Sequence, residues 1–114
     1  ETKQWILITP MNSKRQGVAA CVLDGRIYAL GGFNGCDYLN TAERHDPETK
    51  QWIFIAPMSS RRMDLAACVL DGKIYAIGGH DGCNRLNTVE CCDPETKQWS
   101  FVTPMNSKRT GPAA

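Results

Sequence analysis

The sequence AACVLDGRIYALGG at residues 19–32 returns at residues 66–79 as AACVLDGKIYAIGG, 47 positions later. The segments around it repeat in the same register, and no insertion or deletion interrupts the period. The motif ETKQW occurs three times, each time ending in a tryptophan: Trp5, Trp52 and Trp99. Self-similarity of this length indicates one supersecondary unit stacked several times, and it favours a propeller-type array over a single mixed domain.

Each unit begins with a predicted β-hairpin. The apolar run 18–23 suits a strand that is buried on both faces, and the segment 26–30 is the next strand. Asp24-Gly25 joins the two runs, and this dipeptide favours a type I′ turn because both central residues need positive φ. The second strand ends in paired glycines, which allow close backbone approach and a sharp exit from the sheet. These glycines are Gly31, Gly32, Gly78 and Gly79.

Two further strands complete the unit, at 40–45 and 51–56, joined by a turn at 46–49 that contains Asp-Pro. Polarity rises from the first strand to the fourth, so we expect the first to be innermost and the fourth outermost. On the fourth strand, alternation places Trp52 and Phe54 in the interface between blades and Ile53 toward solvent. No segment shows helical periodicity. The predicted fold class is therefore all-β, with two four-stranded antiparallel blades and flanking partial repeats.

The repeat boundaries divide the chain into four segments. Residues 1–17 supply the outer strand and inter-blade loop of a preceding blade, 18–58 and 59–105 are blades, and 106–114 begin a following blade. Repeat units bury their faces against their neighbours, and about three are needed for stability. We therefore expect the isolated chain to need neighbouring blades or self-association.

Composition excludes several classes of function. With 13 basic and 12 acidic residues the net charge is +1, so no nucleic-acid-binding field is expected. No apolar run approaches membrane-spanning length. The six cysteines lack metal-ligand spacing, and their repeat-equivalent positions favour reduced thiols in a cytoplasmic protein over disulfides. We predict no cofactor, no metal and no catalytic residue.

Several motifs resemble those of a known family. IYALGG at 27–32 and its copy at 74–79 resemble the double-glycine strand of Kelch repeats, and LNTAERHDPETKQW at 39–52 resembles the following strand, turn and tryptophan. Pro-Met with Ser-Arg-Arg at 57–62 is similar to the inter-blade loop of the BTB-Kelch adaptors of cullin-RING ubiquitin ligases. The resemblance implies a six-bladed ring. His45 and Cys92 depart from it, because the family usually has tyrosine there.

Repeat-variable loop residues are the predicted partner-binding residues, since repeat-invariant residues mostly build the scaffold. The resemblance implies that the loops after the second and fourth strands line one mouth of the ring. Tyrosine and arginine are also enriched in binding hot spots. The candidates on this face are Gln16, Phe33, Asn34, Tyr38, Met63, His80, Asp81 and Arg85.

Arg15, Arg62 and Arg109 recur at the end of the inter-blade loop and have two interpretations. They could form a set of guanidinium groups that grips carboxylates or phosphates on the binding face. Alternatively, an arginine present in every repeat closes the loop by bonding backbone carbonyls. Asp64 is close enough in sequence to neutralise Arg62.

These features favour a protein- or peptide-binding module, and the resemblance implies the substrate-recognition propeller of a ubiquitin-ligase adaptor. An actin-binding cytoskeletal scaffold and an engineered array of repeats are the alternatives. An enzyme is disfavoured: the copper-radical chemistry that some Kelch-like propellers carry needs a Tyr/His/Cys cluster, which neither blade offers.

Overall fold

The computed structural model describes residues 10–103, and it contains two antiparallel sheets of four strands each. The first sheet has the order β1-β2-β3-β4, and its strands are β1 Ala19–Leu23, β2 Arg26–Leu30, β3 Ala42–Asp46 and β4 Gln51–Ile55. The second has the order β5-β6-β7-β8, and its strands are β5 Ala66–Leu70, β6 Lys73–Ile77, β7 Val89–Asp93 and β8 Gln98–Val102. The predicted all-β class and four-stranded blades are confirmed.

The Asp-Gly hairpins have the predicted geometry. Asp24 and Gly25 have φ values of 53° and 73°, and Asp71 and Gly72 have 52° and 72°. Both central residues therefore lie in the left-handed region, as a type I′ turn requires. The hairpin register is in phase, with Cys21 opposite Tyr28 in the first blade.

The third strand begins later than predicted, at Ala42 rather than at residue 40. The Asn40 side chain donates a hydrogen bond to the carbonyl of Met58, and the Thr41 carbonyl accepts one from the amide of Gly31. These bonds to the loops on either side hold residues 40 and 41 in loop conformation. The other predicted strands agree within a residue at each end.

The two sheets stack as neighbouring blades, with β1 and β5 side by side. Small and aliphatic side chains fill the space between them, and Trp99 packs against this core. The buried core residues are Ala19, Leu23, Tyr28, Leu30, Ala42, Met58, Leu65, Ile74, Ala76 and Cys92. The indole Nε1 of Trp99 donates a 2.8 Å hydrogen bond to the carbonyl of Ala56 in the preceding blade, so this tryptophan is in the interface as predicted.

The prediction for the neighbours of Trp52 on β4 was wrong for Phe54, whereas Ile53 is exposed as predicted. Phe54, predicted in the interface beside Trp52, is 51% exposed, and its repeat equivalent Phe101 on β8 is 54% exposed. Ile53 lies on the opposite face of β4 and lines a cleft against the second blade, although 39% of it remains exposed.

Among residues 10–103 there is no helix of the length and apolarity needed to cross a membrane. Trp5, Arg109 and the segment 106–114 lie outside the described residues.

Candidate functional site

The loops after the second and fourth strands meet at one end of the two sheets, and we call this surface the loop face. Gln16 and Phe33 exchange two backbone hydrogen bonds of 2.8 Å, and Met63 and His80 exchange two of 2.9 and 3.0 Å. In an antiparallel sheet, alternate connections lie at the same end, which places these loops opposite the Asp-Gly hairpins. The structure therefore brings the two predicted loop sets together.

Paired glycines make this contact possible. Gly32 has a φ of 103°, and a Cβ atom added there would stand 2.9 Å from the carbonyl oxygen of Gln16. At Gly79, with a φ of 88°, it would stand 2.5 Å from the carbonyl oxygen of Met63. A side chain at either position would push the inter-blade loop away from the blade.

Asn34 and Asp81 shape their loops through their own side chains. The Oδ1 atom of Asn34 accepts hydrogen bonds from the amides of Cys36 and Asp37, at 2.9 and 2.8 Å. Asp81 Oδ1 does the same with the amides two and three residues on. The backbone N–H of Asn84, followed by that of Cys83, lowers the pKa of Asp81 below its ordinary value. One oxygen of each predicted binding residue is thus occupied by its own turn.

An aromatic row crosses the loop face from one blade to the next. The rings of Phe33 and Tyr38 have centroids 5.1 Å apart at an interplanar angle of 51°. Tyr38 in turn meets the imidazole of His80 edge-on, at 5.3 Å and 66°. Gly82 makes room for this row, because a Cβ there would be 2.9 Å from the Tyr38 ring. All three rings are partly exposed, so the row offers an aromatic surface to a partner.

Polar groups flank this row on the second blade. The Nε2 atom of His80 lies 3.8 Å from Oδ2 of Asp64, and both side chains are partly exposed. Arg85 is exposed and lines a shallow cleft with His80, Gly82 and Asn84. Gln16 is exposed and Met63 half-buried beside them. The loop face therefore combines aromatic surface with the exposed guanidinium groups of Arg85 and of Arg61, which donates a hydrogen bond to the carbonyl of Tyr38.

The structure does not place Arg15 and Arg62 on the binding face. The side chain of Arg62 is fully buried: its Nε donates a 3.0 Å hydrogen bond to Oε2 of Glu90, and its Nη2 forms an ion pair with the same oxygen at 3.0 Å. Its Nη1 atom also donates to the carbonyls of Gly78 and Thr88, each at 2.9 Å. Burial lowers the pKa of Arg62, while Glu90 acts in the opposite direction. The partner of Arg62 is thus Glu90, and not Asp64.

Arg15 repeats this arrangement in the first blade. Its side chain is fully buried, donates to Oε2 of Glu43 at 3.0 and 3.1 Å, and reaches the carbonyls of Gly31 and Thr41. The assignment of Arg15 and Arg62 to partner binding is therefore corrected, because their N–H donors are used inside the protein. The alternative interpretation, an arginine that closes the loop, describes the observed geometry.

Glu43 and Glu90 complete this scaffold, and the sequence analysis did not single them out. The Glu90 carboxylate also accepts hydrogen bonds from the amides of Ser59 and Ser60, at 2.6 and 3.1 Å. Glu43 holds the amides of Asn12 and Ser13 in the same way. The signal was present: a glutamate recurs 47 residues apart within the third strand, 28 residues after each recurrent arginine.

The remaining sequence candidates have scaffold environments. His45 packs edge-on against Trp52, with ring centroids 5.2 Å apart. All six cysteines have free thiols, with Cys36 and Cys83 exposed on the loop face. Within residues 10–103, no three His, Cys, Asp or Glu side chains come together in an arrangement that could hold a metal ion.

Comparison with known proteins identifies the repeat. The Kelch motif matches residues 14–59 and 61–106. The mouse Kelch-like protein 1 is 44% identical over 41 residues, which are 36% of this chain and 6% of that protein. The human Kelch-like protein 4 is 44% identical over 44 residues, or 39% of this chain and 6% of that protein. The chain spans only a small fraction of these relatives.

A solved structure shares the fold. The chain reported as "Structure of YjhT" superimposes with a TM-score of 0.88 at 16% identity, covering 97% of this chain and 44% of that one. Together with the two matched motifs, which span most of the sequence, this places the fold among Kelch propellers, generally non-enzymatic scaffolds for protein interaction. The chain belongs to the Kelch-repeat family.

Proposed function

We propose that the loop face binds a protein or peptide, and that the whole protein is the substrate-recognition part of a cullin-RING ubiquitin-ligase adaptor. The aromatic row Phe33–Tyr38–His80 carries the first part of this proposal. It is held by the loops of both blades, so it needs no ordering when a partner binds. Tyrosine and arginine, here Tyr38 and Arg85, are residue types that dominate binding energies at interfaces.

A partner that fits this face carries an apolar or aromatic side chain next to an acidic one. The apolar group would pack on the aromatic row, and the acidic group would pair with the exposed guanidinium of Arg85. His80 stands between the two, with Asp64 beside it. Arg15 and Arg62 take no part, because they are buried.

The adaptor role rests on the resemblance of the inter-blade loop and on relatives that are Kelch-like proteins. A cytoplasmic setting follows from this role and agrees with six free thiols. The same role implies further blades beside these two, supplied by the rest of the protein or by self-association. An actin-binding scaffold or an engineered array is the competing proposal, and one experiment separates them.

The test compares full-length protein with Tyr38→Ala and Arg85→Ala, using Glu48→Ala at the opposite end of the sheet as the matched control. We expect affinity capture to recover a cullin with every variant, and one substrate only with the wild type and the control. Its ubiquitylation in a reconstituted reaction should fall at least about ten-fold in the two loop-face variants.

Two outcomes would contradict the proposal. If the loop-face variants capture and ubiquitylate the substrate as the control does, the binding surface is elsewhere. If the full-length protein captures no cullin and instead sediments with actin filaments, the scaffold role is correct.

A further inference from the structure

A second concave surface lies between the blades, away from the loop face. This inter-blade cleft has a volume of about 350 Å³ and runs between β4 of the first blade and the β7–β8 turn of the second. Its walls are mostly apolar, formed by Ile53, Ile55, Ile74 and Cys92. Small-molecule sites commonly have about this volume and this kind of lining, with a few placed polar groups.

The lining of this cleft includes strand positions at which the two blades differ most. Each strand of the first blade has an equivalent in the second. Most positions are identical, or one aliphatic residue replaces another or lysine replaces arginine. Only three positions show a larger change. Those pairs are Arg44/Cys91, His45/Cys92 and Ile53/Ser100. One member of each pair, Arg44, Cys92 and Ile53, lines the cleft. Stacking of identical units explains the invariant positions, and it gives no reason for divergence at this one interface.

The exchange at position 92 creates part of the space. In the first blade, the imidazole of His45 fills the equivalent position and packs on Trp52 at 5.2 Å. In the second blade Cys92 is much smaller, while Trp99 keeps the blades in place through its bond to the carbonyl of Ala56. Burial raises the pKa of Cys92 to about 11, so this wall of the cleft is uncharged near neutral pH.

The charged groups of the cleft have one sign. Arg44 and Lys97 belong to its lining, and no acidic residue does. The Nε atom of Arg44 is buried and has no hydrogen-bond partner among the residues that the structure describes. The guanidinium group of Arg44 belongs to the cleft lining, and it is a group that pairs with carboxylates through charge-assisted hydrogen bonds.

We propose that the inter-blade cleft binds a small amphipathic carboxylate. Its apolar body lies between Ile53 and Ile74, and its carboxylate accepts hydrogen bonds from Arg44 with Lys97 nearby. This site is separate from the loop face and does not depend on the adaptor role. Its charge selects an anion, and its apolar walls select an aliphatic or aromatic body.

The test is a titration of the full-length protein with sodium octanoate, followed by amide chemical shifts, with 1-octanol as the uncharged probe. We expect octanoate to shift the amides of residues 53–56 and 92–97. Octanol should bind the same residues at least about ten-fold more weakly, because it lacks the charge-assisted bond. Arg44→Gln should reduce octanoate affinity to that of octanol, while Arg85→Gln on the loop face leaves it unchanged.

A second variant tests the apolar part. Cys92→His restores the residue of the first blade and fills the cleft, so both probes should lose binding. If that variant does not fold, Ile53→Ser takes its place and should weaken both probes equally.

Three results would overturn the proposal: equal affinity for octanol and octanoate, unchanged octanoate binding in Arg44→Gln, or shifts outside the cleft. An acidic peptide that shifts the cleft amides where octanoate does not would assign the cleft to a protein partner instead.

Discussion

Replacing Arg62 by alanine should destabilise the protein far more than replacing its neighbour Arg61. The two arginines are adjacent in the inter-blade loop, but their environments differ. Arg61 is exposed and donates one 2.9 Å hydrogen bond to the carbonyl of Tyr38. Arg62 is fully buried and bonds to Glu90, to two backbone carbonyls and to the hydroxyl of Thr88.

The size of the effect follows from what the truncation leaves behind. Without Arg62, the buried carboxylate of Glu90 keeps only the amides of Ser59 and Ser60 as donors. Removing one member of a buried ion pair costs about 3–5 kcal/mol, because the other charge stays desolvated. Small domains are stable by about 5–15 kcal/mol, so this loss would be a large fraction of the total. Arg61→Ala should cost less than about 1 kcal/mol, as surface substitutions generally do.

Urea unfolding followed by tryptophan fluorescence and circular dichroism measures both variants against the wild type. The double variant Arg62→Met with Glu90→Leu should recover only part of the loss: it removes the unpaired charge, but it leaves the amides of Ser59 and Ser60 and the carbonyls of Gly78 and Thr88 without these side-chain partners. If Arg62→Ala unfolds within about 1 kcal/mol of Arg61→Ala, the buried pair does not stabilise the fold and the reasoning fails.

Three further predictions concern the backbone, the interface and the thiols. Gly79→Ala should lower the free energy of unfolding by about 3 kcal/mol or more in a urea titration, because the added methyl group meets a backbone oxygen at 2.5 Å. Gly72 also has a positive φ, but nothing lies within 4 Å of an added Cβ atom. Gly72→Ala should therefore lower the free energy of unfolding by only about 1 kcal/mol. Trp99→Ala should lower the free energy of unfolding by about 3–5 kcal/mol. Trp99→Phe should lower it by less, because phenylalanine keeps an aromatic ring in the interface. Equal losses in the two variants would show that the indole contributes nothing beyond its N–H bond to the preceding blade. Burial raises the pKa of Cys21 to about 11, so at pH 8 its thiolate is scarce, and iodoacetamide should modify it much more slowly than the exposed Cys36. Mass spectrometry should show that Cys21 reacts faster as the pH rises toward 11. Equal modification rates of the two thiols at pH 8 would contradict this prediction.

The hairpins and strands were predictable because their determinants are local. Asp24-Gly25 specifies its turn through the two left-handed residues that it supplies, whatever the rest of the protein does. The start of β3 was not predictable in this way. Residues 40 and 41 are held by hydrogen bonds to Met58 and Gly31, and those partners lie in loops brought together by folding.

The candidate site shows the same division. The repeat predicts that variable loops carry Phe33, Tyr38 and His80. Their alignment into one row, however, depends on how the second blade packs beside the first. Arg62 is the opposite case, a charged loop residue whose pattern allowed a binding role. Its carboxylate partner, Glu90, lies 28 residues further along the chain, on β7.

The sequence by itself determined the repeating unit, its four strands and its turns, because the period of 47 residues, the Asp-Gly hairpins and the alternation along strands act within one unit. Only the tertiary structure decided which charges are buried, which rings meet and where a cleft remains. Those properties depend on distances between residues of different units, such as Arg44 and Cys92, and the stacking of one blade on the next sets these distances.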